Sequence, residues 1–121
     1  MNDAGDLSDI GDLSEAYDLL YRLGLRAGST HFFHTAYALY LAAKQPERLR
    51  IPSRWLYPQV AAQYDIPAKS VEGSIRLAAA AAWHENPALL RALTGRAVPQ
   101  PQPPERFLAI LAVHLRPENK E

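Results

Sequence analysis

The sequence predicts an all-α fold, a six-helix bundle containing a helix-turn-helix, and three observations predict it. Apolar residues recur at three- and four-residue spacing along most of the chain. Nothing alternates with period two for long enough to make a strand. Prolines and glycines stand where helices would start or stop. At 121 residues and 48% hydrophobic content the chain fits one domain with one core.

Residues 1–12 hold Gly5, Gly11 and four aspartates and read as an acidic flexible leader, with residues 13–121 as a single helical domain. The first helix is expected from about Leu13 to Leu23, with Ser14 as its N-cap and Gly24 as its left-handed stop. Leu13, Ala16, Tyr17 and Leu20 form its apolar set. A second helix runs from Ser29 or Thr30 to Lys44, ended by Pro46, with Phe33, Ala36, Tyr37, Tyr40 and Leu41 as the inner stripe. A third covers about Ser53 to Tyr64, begins through Pro52 and should bend at Pro58, which removes one hydrogen bond. The fourth and longest spans about Ala68 to Glu85. Asn86 then caps a fifth, Pro87 suits its first position, and Gly95 follows its end at Thr94. Four prolines between Ala97 and Pro104 demand an extended connector. The last helix, Pro104 to about Leu115, carries Phe107, Ile110, Leu111 and His114 or Leu115 on one side.

With no cysteine, disulfides and thiolate metal sites are excluded, and a reducing cytoplasm suits the chain. The acidic N-terminus lacks the pattern of a secretory signal, and the longest apolar stretch, Leu77 to Trp83, is too short to span a bilayer, so a cytoplasmic protein without membrane partners is expected. The net charge of zero hides an asymmetry. Residues 1–18 hold six acidic groups and no Lys or Arg, which leaves thirteen basic against seven acidic groups in the remainder. A basic domain behind an acidic leader suits an anionic partner.

The stretch from Val60 to Ile75 gives that partner a form. A helix-turn-helix needs a small residue where its helices cross, a turn residue that tolerates left-handed geometry, an apolar residue after the turn, and apolar anchors on the second helix. Ala61, Asp65, Ile66, and Val71 with Ile75 fill those places in order, which puts the motif at about residues 53–85. At about 100° per residue, Val71, Ile75, Ala78, Ala79 and Ala82 share the core face of the fourth helix. The opposite arc holds Lys69, Ser70, Gly73, Arg76, Leu77, Ala80 and His84. Arg76 suits guanine or phosphate, Lys69 phosphate, and Ser70 either. Gly73 costs about 1 kcal/mol relative to Ala inside a helix, yet lets the helix approach a groove closely. Arg48, Arg50 and Arg54, beside Trp55, form a basic cluster suited to the phosphate backbone.

Leu56-Tyr57-Pro58, Val60-Ala61, Val71-Glu72, Ile75-Arg76 and Ala82-Trp83 together resemble the C-terminal DNA-binding domain of the sporulation-initiation response regulator of spore-forming Firmicutes. The similarity runs from about Ala16 to Lys120 and includes the proline inside the third helix and the tryptophan closing the fourth. The resemblance implies a six-helix effector domain that binds short promoter boxes and contacts RNA polymerase. It also implies that the second helix of the motif enters the major groove and that copies pair head-to-tail on tandem boxes through the last helix. Glu72 and Arg76 match the family pattern, whereas Ser70 and Gly73 stand where it carries arginines. Family members carry a phospho-acceptor receiver domain ahead of this one, and residues 1–18 are too few to hold it, so no receiver is expected within this sequence.

The expectation is therefore a sequence-reading regulator of promoter DNA, without catalysis, cofactor or small-molecule substrate. Lys69, Ser70, Glu72, Gly73 and Arg76 would read bases, and Arg48, Arg50 and Arg54 would hold phosphates. A second reading is a protein-interaction module that pairs with a related regulator through Phe107, Leu111 and Leu115 of the last helix. His31 and His34 lack a third ligand near in sequence and do not read as a metal site. No Ser/His/Asp or Cys/His arrangement and no phosphate loop is legible.

Overall fold

A computed structural model describes residues 3–95 and 99–115, with side chains from Leu13 onward. All described elements are helical. They are α1 (Asp3–Arg22), α2 (Thr30–Lys44), a 3-10 helix (Pro46–Arg50), α3 (Pro52–Trp55), α4 (Tyr57–Tyr64), α5 (Ala68–Glu85), α6 (Pro87–Thr94) and α7 (Pro104–Val113). The six expected helices are all present, the third parted into α3 and α4.

That parting corrects the expected bend, and Pro58 explains it. Inside one continuous helix its ring would clash with the carbonyl of Arg54, four residues earlier, and it has no N–H to bond there. The chain breaks at Leu56, whose φ of −121° and ψ of −58° leave the helix, and Pro58 falls within the first turn of a new one. There its missing N–H is no loss. Leu56 still closes α3 through its N–H to the Pro52 carbonyl at 3.0 Å, and its own carbonyl accepts from Gln59 and Val60.

A second correction concerns the start of the first helix. The first helix starts at Asp3, so residues 3–12 are helical and Ser14 lies inside the helix rather than capping it. Gly5 and Gly11 lower helix propensity without supplying a stop. The stop comes at Gly24, left-handed at φ 96°.

The third correction is the face of α2. Phe32, Thr35, Ala38, Leu39, Ala42 and Ala43 are buried along with the expected Ala36 and Tyr40, while Phe33 is 37% exposed. This helix is the centre of the bundle, packed by α1, α4, α5, α7 and the 3-10 helix. A helix covered on nearly every side has no single apolar stripe. Phe32 stacks on Tyr17, with ring centroids 5.7 Å apart, and meets Tyr21 at 4.9 Å. The connector residues Ala97 and Val98 lie outside the described residues, as does Lys120.

Candidate nucleic-acid interface

The turn between α4 and α5 has the predicted geometry. Asp65 is left-handed at φ 56° and ψ 51°, and no other described non-glycine residue has positive φ. A carboxylate side chain tolerates that region better than most. The N–H groups of Asp65 and Ile66 both reach the Ala61 carbonyl, closing the end of α4. Ala61 is buried at the crossing, Val71 and Ile75 are fully buried anchors, and Ile66 is half-buried against the core. The buried set of α5 is Val71, Ile75, Ala78, Ala79 and Ala82, as the wheel predicts.

Behind α5 stands a brace that the sequence did not disclose. His34 Nδ1 and Ser74 Oγ are hydrogen-bonded at 2.9 Å, joining α2 to the first half of α5. The His34 ring packs on Tyr64 at 4.9 Å, and the Tyr64 hydroxyl donates to the Phe33 carbonyl at 3.3 Å. Burial holds the His34 imidazole below its ordinary range, and the charge of His31 adds to the effect. Burial lowers His31 as well and, with Tyr17 and Tyr37, raises the Tyr64 phenol. No group of three metal-ligating side chains occurs among the described residues. Forty residues separate His34 from Ser74, so no local pattern links them.

In front, Lys69, Ser70 and Arg76 are exposed and Glu72 and Gly73 half-exposed, so the five expected base readers share the outward side of α5. Arg76 is held by Glu72 across one turn, at 3.6 Å between guanidinium and carboxylate. That pair is largely solvated and adds little to stability. It does set where the guanidinium rests. A Cβ at Gly73 would meet nothing within 4 Å. Nearby, the Tyr57 phenol is buried without a hydrogen-bond partner among the described residues. Burial pushes its pKa up to about 12, with Glu105 and Glu72 adding to the rise and Arg76 opposing it.

The three arginines expected on phosphates divide. Arg48 is a brace: its Nε donates to Gln45 Oε1 and its guanidinium to the Trp55 carbonyl, both at 2.6 Å. Arg50 and Arg54 are exposed, and Arg54 and Trp55 border an open hollow of about 330 Å³ with Gln59 of α4. The expected partner surface changes more. Phe107 and Leu111 are 1% and 0% exposed, locked in the chain's own core, and Leu115 is half-buried. The helix turns Val113 outward instead, 43% exposed, and it borders an open groove of about 370 Å³ with the partly buried Ile110 and Leu93 of α6. Periodicity marks the apolar side of α7 correctly, but that side is covered by the chain's own core and is not free for a partner.

Residues 16–115 match the family model described as Sporulation initiation factor Spo0A C terminal. The chain belongs to this family. The match begins where the resemblance did and stops at Leu115, short of Lys120. Among curated proteins the sequence has no match. The Spo0A C-terminal family is a DNA-binding effector domain of transcription regulators and not an enzyme family, which makes this chain a DNA-binding regulator in general kind. No helix among the described residues is long and apolar enough to cross a membrane.

Proposed function

We propose that the chain is a sequence-specific regulator that places α5 in the major groove of promoter DNA. The observation that carries this reading is the α4–α5 turn, with Asp65 left-handed and the outward side of α5 uncovered. Lys69, Ser70, Glu72, Gly73 and Arg76 face the bases, while Arg50 and Arg54 hold phosphates outside the groove. Arg48 positions Trp55 and the end of α3 rather than serving the backbone directly. Copies on tandem sites, and contacts with RNA polymerase, would have to use surfaces other than Phe107 and Leu111. For the pairing of copies, the groove beside the exposed Val113 and the partly buried Ile110 of α7 fits best.

A selection from genome-derived duplexes with the purified chain, at low and moderate salt, tests the reading. Enrichment of a short motif, with binding that weakens steeply as salt rises, is the expected result. Replacing both Arg50 and Arg54 by Ala should weaken all sequences alike and flatten the salt dependence by roughly two counterions. Arg76→Ala should instead relax preference at one position, by about 1–3 kcal/mol. Absence of enrichment at either salt, from a folded protein, would remove the DNA reading.

A further inference from the structure

Leu77 is 60% exposed, more than any other large hydrophobic residue described in the chain. A single exposed leucine is ordinary on a protein surface, so its surroundings decide its meaning. It stands on α5, nearly opposite the buried line of Val71, Ile75, Ala78, Ala79 and Ala82, where a groove-bound helix is deepest. One turn before it, Gly73 has no side chain, and nothing among the described residues approaches within 4 Å of where one would begin. Glycine is a poor helix former, and no internal contact here requires it. One turn after Leu77, Ala80 is exposed with only a methyl group. Gly73, Leu77 and Ala80 therefore form a short line without a side-chain donor or acceptor, where the backbone can come close. The arginine able to read guanine lies to one side of that line, paired with Glu72 at 3.6 Å.

In the major groove, the apolar feature that distinguishes one base from the rest is the C5 methyl of thymine. We propose that Leu77 sets the base preference of this domain by packing against a thymine methyl, with Gly73 admitting the helix closely enough for contact. The inference rests on the DNA-binding reading above and names the base class that this face selects. It makes Leu77 a specificity-determining residue beside the polar ones.

Uracil substitution tests it, because uracil lacks the methyl and keeps the pairing edge. Each thymine of the duplex enriched by the full chain is replaced singly by uracil. At one thymine per site the native chain should lose roughly fourfold in affinity, the ratio that about 0.8 kcal/mol for one methyl gives. Leu77→Ala should bind thymine and uracil alike at that position, and Leu77→Met should keep the discrimination. Residue 77 is exposed, so neither change should disturb folding, which circular dichroism checks. Equal binding of every uracil duplex by the native chain would overturn the inference while the DNA reading stands. So would a Leu77→Ala variant that still discriminates fourfold. Binding to no duplex at all would overturn both.

Discussion

Gly24, which follows α1 and packs against the last residue of α5, and Gly73, in the first half of α5, are glycine for different reasons. At Gly24 the backbone is left-handed, and a Cβ would stand 2.5 Å from Glu85 Cβ at the end of α5. The seam around it is bonded on both sides. Asn86 donates from its amide to the Arg22 carbonyl at 2.8 Å and accepts from the Leu89 N–H at 3.2 Å, so one side chain joins α1, α5 and α6. At Gly73 the backbone is helical and the space beside it is empty. One glycine is demanded by the chain's own packing. The other weakens the helix with no return among the described residues, and it lies on the uncovered side of α5. The seam fixes where α5 is; the open half decides what it touches.

The largest effect that would break this contrast is at the seam. Gly24→Ala combines a left-handed alanine with a contact at a Cβ rather than at the flexible tip of Glu85. The expected loss is roughly 2–5 kcal/mol of unfolding free energy, measured by urea denaturation. An unchanged midpoint would mean that α1 and α5 are not locked there. Asn86→Ala follows in size. It removes the cap of α6 and leaves the Arg22 carbonyl without this donor, for an expected loss of about 1–2 kcal/mol. Because Gly24 and Asn86 act at one seam, the double variant should lose less than the two single losses together.

The same contrast separates what was legible in the sequence from what was not. Gly24, Pro46, Asn86, Pro87 and Gly95 act through local backbone geometry, and they place the ends of α2 and α6 and the stop of α1 correctly. The helix-turn-helix was legible because its requirements, from Ala61 through Asp65 to Ile75, fall within fifteen residues. Tertiary features were not. The burial of α2 on nearly all sides depends on where α1, α5 and α7 lie, so its stripe was misplaced and Phe33 put inside. Phe107 and Leu111 were correctly placed on one side of α7, but periodicity cannot say whether an apolar side meets its own chain or another. Arg48 looked like its neighbours until Gln45 and the Trp55 carbonyl were seen to hold it. The His34–Ser74 bond had no local signal at all.

The smallest effect sharpens the comparison most, because it should have opposite signs in two measurements. Gly73→Ala adds a methyl where nothing in the chain opposes it and removes the conformational freedom that glycine gives the unfolded state. Stability should rise, by up to about 1 kcal/mol in an unfolding titration. Binding to the enriched duplex should fall if α5 enters the groove as proposed, because the added methyl would then stand between the helix and the groove floor and lift Leu77 with it. A residue kept only for folding would never show that pairing; greater stability with weaker binding is the mark of a position shaped by a partner. A variant that is more stable and binds as tightly as the native chain would show that α5 does not approach DNA at this turn. The contact surface would then shift toward Lys69 and Ser70, and the contrast between the two glycines would reduce to one that packs and one that is idle.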